Sequence, residues 1–133
     1  MIITDTYNLF LDDCRIPSDA FLYTQDTDFL KLKWIVVQNY NEFVHYISQE
    51  YETGKFPSMI SFDHDLADVH YNEPISDYSD MEEKTGYHCA QWLANFCMDN
   101  DIKLPAYKVH SMNPVGKKNI ESYLTNYLKC QNM

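Results

Sequence analysis

The residues best suited to chemistry lie in one short stretch, Ser61-Phe62-Asp63-His64-Asp65-Leu66. Met59 and Ile60 precede it, so an apolar sequence typical of a buried strand gives way to two carboxylates that flank an imidazole. A single aspartate at a strand end is more often a turn former or a helix cap than a catalyst. Three adjacent titratable residues favour a functional site, because open α/β sheets carry their sites at the carboxyl ends of strands.

Two further predicted strands end in polar residues of the same kinds. The apolar strand 7–11 is followed by Asp12 and Asp13, and the strand 107–110 ends in His110 and is followed by Ser111. If the strands are parallel, their carboxyl ends meet at one edge of the sheet. Carboxylates, imidazoles and a hydroxyl are then expected in a single crevice.

The elements that must position these residues alternate between strand and helix. The predicted order is strand 7–11, an irregular crossover to residue 33 in which any helix is short, strand 34–38, a helix capped by Asn41 and stopped by Gly54, strand 59–62, a polar connection 67–84, a helix opened by Thr85 and Gly86, strand 107–110, and a helix opened by Asn113 and Pro114. Such alternation predicts an α/β domain with a short parallel sheet and helices on both faces. The expected strand order is 2-1-3-4, which places the first and third strands side by side.

The acidic residues at the strand ends indicate a cation site. Carboxylates held close together repel one another, so either one of them keeps a proton or a cation neutralises the group. Oxygen ligands of this type favour Mg²⁺ or Mn²⁺. The predicted ligands are Asp12, Asp13, Asp63 and Asp65. Capping of local turns is the alternative role for Asp13 and Asp65.

The remaining polar residues of the crevice suit phosphoryl chemistry. Asp63, His64 and His110 are the predicted catalytic residues, because imidazole exchanges protons near neutral pH and a carboxylate can attack phosphorus. Phosphate oxygens are expected to be held by the backbone N–H groups at two helix starts and by the side chains of Arg15, Lys84, Ser111 and Asn113. A solvated position for Lys84 and a helix cap for Asn113 are the competing interpretations. The sequence contains no Ser-His-Asp elbow, G-x-G-x-x-G motif or P-loop.

The composition restricts what the protein can bind. With 10 basic and 20 acidic side chains the formal charge is −10, so the surface as a whole repels duplex DNA, and the expected partner is a small phosphorylated ligand. No apolar run approaches the roughly 20 residues of a membrane span, and the N-terminal sequence lacks an export signal, so a cytoplasmic location is expected. The length predicts a single domain, 1–133. The four cysteines show no C-x-x-C spacing and are expected to be reduced.

The polar connection 67–84 has no hydrophobic period and is rich in acidic residues. Connections of this length are uncommon in compact domains unless they are functional or disordered. A solvated loop is the simpler interpretation. A lid over the crevice, with Pro74 and Gly86 as the limits of its motion, is the functional one.

These motifs resemble those of the cyclic-phosphate-processing receiver-like domains of bacteria and phages. The resemblance covers nearly the whole chain and rests on residues 11–17, 61–66, 86–93 and 110–116, with Asn119 and Ile120. It implies a receiver-like, flavodoxin-like three-layer fold. By the same resemblance Asp12 and Asp13 match the acidic pair that binds Mg²⁺ in receivers, Asp63 matches their phosphoacceptor aspartate, and Ser111 matches a Ser or Thr that follows their fourth strand.

The sequence departs from a signalling receiver in two respects. The fifth receiver strand with its lysine is missing, and the first crossover lacks a clear helix, which argues against a phosphorelay. The added His64 and His110 point to the role that the family implies, a phosphoesterase or phosphotransfer enzyme acting on cyclic phosphates of nucleotides or RNA ends. The alternatives are a non-catalytic module that binds a cyclic nucleotide or a protein partner in conflict between phage and bacteria, and a degenerate receiver phosphorylated on Asp63.

Overall fold

The computed structural model describes residues 3–65 and 84–131. Its elements in chain order are β1 (Asp5–Leu11), α1 (Pro17–Thr24), α2 (Asp28–Lys31), β2 (Trp34–Val37), α3 (Tyr40–Glu52), β3 (Lys55–Phe62), α4 (Gly86–Asp99), β4 (Ala106–Val109) and α5 (Pro114–Gln131). The predicted lid over 67–84 lies outside the described residues, except for Lys84. Among the described helices, none is long and apolar enough to span a bilayer.

The four strands form one parallel sheet in the order β2-β1-β3-β4. This confirms the predicted α/β class and the predicted strand order, with β1 and β3 in the middle. Within residues 3–65 and 84–131 the sheet has no fifth strand, as the sequence predicted. Because all strands run in the same direction, the residues that follow β1, β3 and β4 lie at one edge.

The larger core lies between one face of the sheet and helices α3, α4 and α5. Strand residues on this face alternate with residues on the other face, as the two-residue period of a strand requires. The central strands β1 and β3 contribute two and three buried side chains, respectively, and the helices add large apolar residues such as Phe43, Leu93 and Leu124. The sheet residues of this core include Leu9, Leu11, Ile60, Phe62 and Val109.

The opposite face of the sheet is covered by α1 and α2. Phe10 points to this face and packs with Ala20 and Phe29 in a second, smaller core. Lys108 of β4 binds the same segment, since its Nζ lies 2.7 Å from the Asp26 carboxylate. The two short helices therefore form the third layer of the domain, across β1 and β4.

The observed boundaries correct two predictions. The cap of α3 is Asn39, whose side chain accepts the backbone N–H of Glu42 at 2.9 Å, so the assignment of Asn41 was wrong. Strand β3 begins at Lys55, and it includes Pro57. The sheet accommodates this proline, which lacks an N–H, because the register with β1 shifts there.

The first crossover contains α1, of eight residues, and α2, of four. The helices are short, as expected, but α1 is a regular helix that starts at Pro17, so the expectation that the crossover lacks a clear helix was wrong. All four cysteines are unpaired, Cys89 and Cys97 in the core and Cys14 and Cys130 exposed.

Candidate active site

Three strand ends bring Asp12, Asp63 and His110 together at the carboxyl edge of the sheet. Each donates its backbone N–H to a carbonyl of the adjoining strand at 3.0 Å, Asp12 to Val37, Asp63 to Leu11 and His110 to Phe62. The backbones of the three residues are therefore fixed by the sheet. These residues are 1%, 3% and 1% exposed, respectively, so the cluster is buried.

Contacts at both ring nitrogens and on one ring face hold the His110 side chain in place. Its Nε2 lies 3.0 Å from Asp12 Oδ2, and its Nδ1 lies 2.7 Å from Ser61 Oγ. Phe10 stacks on the ring with a centroid distance of 4.2 Å. The hydroxyl of Tyr23 donates to the His110 carbonyl at 2.6 Å. The ring therefore has little freedom to rotate.

The contacts of His110 define its protonation state. Burial lowers the pKa of His110, and it does so despite the opposing hydrogen bond and charge of Asp12. In the neutral ring, Nε2–H donates to the carboxylate of Asp12, and Nδ1 accepts the hydroxyl proton of Ser61. These two bonds and the burial of His110 give it a role in orienting Asp12, and its predicted role in proton transfer stays a prediction.

Asp12 is held as a carboxylate. Its Oδ1 accepts the backbone N–H groups of Cys14 and Arg15, each at 3.0 Å, and its Oδ2 accepts from His110. Burial by itself would raise the pKa of Asp12. The hydrogen bonds from His110, Cys14 and Arg15 outweigh burial and hold the pKa below its usual range.

Asp63 is in the opposite electrostatic situation. Burial and the neighbouring negative charge of Asp12 raise the pKa of Asp63 to about 7, although the backbone N–H of His64 and the charge of Arg15 oppose this rise. Its Oδ1 accepts the N–H of His64 at 2.9 Å. Two adjacent carboxyl groups with pKa values pushed apart are a common arrangement in acid–base catalysis.

The acidic cluster has the donor chemistry of a divalent cation site. Ligand atoms of Asp12, Asp63 and His110 lie within 4.8 Å of one another, as do those of Asp12, Asp13 and Cys14. Carboxylate oxygens suit Mg²⁺ or Mn²⁺, whereas the His110 nitrogens are already bonded. Asp12 pairs with Asp63 in one of these groups and with Asp13 in the other, and the carboxylates of each pair fit the predicted cation. The predicted ligand Asp65 belongs to neither group.

Asp65 instead joins His64 to Asn113. Its Oδ1 lies 2.8 Å from His64 Nδ1, and the Asn113 amide donates to both of its oxygens at 3.2 and 3.3 Å. Asn113 Oδ1 accepts the N–H groups of Val115 and Gly116. The helix-cap interpretation of Asn113 is thus confirmed, and the residue also anchors the carboxylate that orients His64.

Two glycines bring helix starts close to this site. A Cβ on Gly86 would overlap the carbonyl oxygen of Asp63, and a Cβ on Gly116 would overlap the His64 ring. Gly86 N–H also donates to the His64 carbonyl at 2.8 Å. The absence of a side chain at both positions lets α4 and α5 pack directly against the segment that carries Asp63 and His64.

The predicted phosphate-binding residues are dispersed around the cluster. Arg15 lies closest, with a guanidinium nitrogen 3.9 Å from Asp12 Oδ2 and its charge over the Tyr23 ring, 5.4 Å from the centroid. Ser111 Oγ accepts the Asn113 N–H at 3.1 Å. Lys84 lies over the Tyr40 ring, 5.6 Å from its centroid.

The backbone N–H groups at the starts of α4 and α5 are already engaged. Tyr87 N–H donates to the Thr85 hydroxyl, and the N–H groups of Val115 and Gly116 donate to the Asn113 side chain. A phosphate at the site would therefore depend on side chains, Arg15 above all, and on a cation more than on these helix starts.

The sequence analysis gave Ser61 no role within the central stretch, and it missed Tyr23 as part of the site. Ser61 carried a signal, since it is a polar residue between Ile60 and Phe62 in a strand that is buried on both faces. Tyr23 carried none, because its contacts with His110 and Arg15 depend on how α1 packs on the sheet.

A parallel sheet in the order 2-1-3-4 with acidic residues directly after β1 and β3 is typical of a receiver-like α/β domain. The chain belongs to the family of cyclic-phosphate processing receiver domains, whose model matches residues 7–126. Among solved structures, it is similar to the "signal receiver domain of putative Luxo repressor protein from Vibrio parahaemolyticus", with 14% identity over 97% of this chain and 94% of that chain and a TM-score of 0.42. The comparison with curated proteins found no match.

Proposed function

We propose that this domain is a phosphoesterase that opens the ring of a cyclic phosphate on a nucleotide or an RNA end. The observation that carries the proposal is the buried juxtaposition of Asp12 and Asp63, with ligand atoms within 4.8 Å, at the edge of the sheet where α/β domains bind ligands. The family supports the same substrate chemistry through its name, cyclic-phosphate processing.

The reaction needs one proton removed and one supplied. Water forms a new bond to phosphorus, one ester bond of the ring breaks, and the departing oxygen takes a proton. Asp63, with a pKa raised to about 7, suits removal of the proton from water near neutral pH. His64 suits delivery of a proton to the departing oxygen, because Asp65 holds its Nδ1 and leaves Nε2 for the substrate.

The remaining residues of the site bind the phosphate or orient the catalytic side chains. Arg15 offers the positive charge nearest to the carboxylate pair and holds phosphate oxygens. His110 and Ser61 keep Asp12 ionised and in place. A divalent cation held by Asp12 and Asp13 would supply charge neutralisation and polarise the phosphate, while Asp63 takes the proton. Ser111 lies at the same edge and adds a hydroxyl.

The test is incubation of the purified protein with 2′,3′-cyclic and 3′,5′-cyclic nucleotides, cyclic oligonucleotides and cyclic-ended RNA, with and without a chelator. Products are identified by mass spectrometry. Asp63→Asn is expected to lower turnover by about 100-fold or more. Asp99→Asn, at the exposed end of α4, is the matched control and should leave turnover unchanged. Turnover that survives in Asp63→Asn would refute the proposal.

A second candidate, a non-catalytic module that captures a cyclic nucleotide, is favoured by one observation. Both ring nitrogens of His110 are hydrogen-bonded within the protein. Of the two histidines predicted to transfer protons, His64 and His110, this one therefore has no ring nitrogen directed at a ligand. Such a module would retain its ligand without turnover. The ligand recovered after denaturation of the complex would then be chemically intact, whereas an enzyme would release a ring-opened product.

A further inference from the structure

A groove lies beside the candidate active site, between α4 and α5. Its volume is about 510 Å³, and its described lining residues are His64, Thr85, Tyr87, Asn119, Ser122, Tyr123 and Asn126. This volume falls within the range of roughly 300–1,000 Å³ that is usual for small-ligand sites. His64 lines one end of the groove and directly follows Asp63, so the groove adjoins the edge of the sheet where the carboxylates meet.

The groove and the acidic cluster differ in charge. The cluster contains ionised Asp12 with Arg15 beside it. The described lining of the groove contains no lysine, arginine, aspartate or glutamate. A ligand that spans both places would therefore put its phosphate at the charged edge and a neutral, polar part in the groove.

The side chains of the groove suit a planar, hydrogen-bonding group. Asn119 and Asn126 are two helical turns apart on α5 and share a face with Ser122 and Tyr123. Each amide offers donors and an acceptor, which is the chemistry of a nucleobase edge. The rings of Tyr87 and Tyr123, 5.5 Å apart and inclined by 63°, provide aromatic surface of the kind on which bases stack.

From this arrangement we propose that the α4–α5 groove binds the nucleobase of a nucleoside cyclic phosphate, with His64 at the junction between base and phosphate. The proposal rests on the proposed function for its choice of phosphate and deepens it by naming a base-recognition site. The base comes either from a free nucleotide or from the last residue of an RNA. The formal charge of −10 favours a ligand with few phosphates, because a long polyanion is repelled.

The experiment compares nucleoside 2′,3′-cyclic phosphates with a methyl riboside 2,3-cyclic phosphate, which lacks the base. Dissociation constants are measured by calorimetry and initial rates by chromatography, for the native chain, Asn119→Ala and Asn126→Ala. Glu121→Gln, on α5 but outside the described groove lining, is the control. A short RNA with a cyclic end, titrated at two salt concentrations, distinguishes the RNA source from the free nucleotide.

The base-free ligand is expected to bind at least about tenfold more weakly than the best nucleotide, because it loses stacking. Each amide variant should weaken nucleotide binding about fivefold and leave the affinity for the base-free ligand unchanged. Equal affinity with and without a base, or an amide variant that weakens both ligands alike, would overturn the groove assignment. If binding depends on the base but no turnover occurs, only the hydrolytic proposal is refuted. If turnover occurs at the same rate with and without a base, only the assignment of the groove as a base site is refuted.

Discussion

Replacement of Asp63 by asparagine should stabilise the protein at neutral pH, although it removes a residue of the proposed catalytic site. The Asp63 carboxyl is 3% exposed and lies next to Asp12, whose charge is permanent in this range. Asparagine removes the second charge while its side-chain oxygen can still accept the N–H of His64, as Asp63 Oδ1 does. The native state of the variant therefore no longer holds two negative charges next to each other.

The size of the effect follows from the pKa. Folding raises the pKa of Asp63 from 3.8 to about 7, so the unfolded chain releases this proton more readily and the native state is penalised as the pH rises. This electrostatic penalty on the native state is absent below the pKa of Asp63 in the unfolded chain. It grows as the pH rises to the pKa of Asp63 in the folded protein and is constant above that pH. About three pKa units correspond to about 4 kcal/mol, and screening by nearby water reduces the expected gain of the variant to about 2–4 kcal/mol.

The assay is urea unfolding of the native chain and of Asp63→Asn from about pH 4 to about pH 8 with a chelator present. The difference in the free energy of unfolding should be small at the acid end and rise towards the alkaline end. Asp26→Asn is the control of opposite sign. The hydrogen bond from Lys108 lowers the pKa of Asp26 from 3.8, so Asp26 stabilises the native state throughout this pH range and loses that contribution only at lower pH. Asp26→Asn should therefore destabilise the protein by a nearly constant amount from about pH 4 to about pH 8. A gain for Asp63→Asn that does not change with pH would refute the electrostatic argument.

Three further predictions concern the supports of the site. In urea unfolding, Gly86→Ala should destabilise the protein by about 3 kcal/mol, because the new Cβ meets a backbone carbonyl. Gly116→Ala should cost only about 1 kcal/mol, because its Cβ meets the His64 side chain, which can rotate away. Equal losses for the two variants would contradict this explanation. Ser61→Ala should cost about 1–3 kcal/mol, since it leaves Nδ1 of His110 buried without a donor, and a neutral substitution would show that the ring finds another partner. Because burial lowers the pKa of His110, the NMR signals of its ring should remain those of a neutral imidazole when the pH falls through 6.5, and stability should fall there as the unfolded chain takes up the proton.

The strands of the sheet could be predicted from the sequence because the pattern of apolar residues that marks a strand depends only on residues close together in the chain. The apolar strands that end before Asp12 and Asp63 were recognisable, and their alternation with helices predicted the parallel sheet that the structure has. The cap of α3 was assigned to the wrong asparagine, although Glu42 stands three residues after Asn39, donates its backbone N–H to the Asn39 side chain and accepts the Asn39 amide. That spacing was the signal that separates Asn39 from Asn41.

The pairwise contacts of the site were less accessible from the sequence. The strand-end rule placed Asp12, Asp63 and His110 at one edge of the sheet, and the structure has them there. The rule did not predict that His110 would use one nitrogen on Asp12 and the other on Ser61. Such choices depend on which face of a strand each side chain occupies and on what packs above it, in this case Phe10 and Tyr23.

The bond between Asp12 and His110 joins residues 98 positions apart, and this separation bears on how the protein folds. Strands β1 and β3 can pair as soon as residue 62 is available, which brings the two acids together before their imidazole partner has arrived. Pairing over long separations in parallel sheets is slow, because chain entropy is lost before the contacts form. The geometry of the site is therefore completed only when β4 docks, so a chain interrupted before residue 106 would have two neighbouring carboxylates at the sheet edge and no imidazole to hold Asp12.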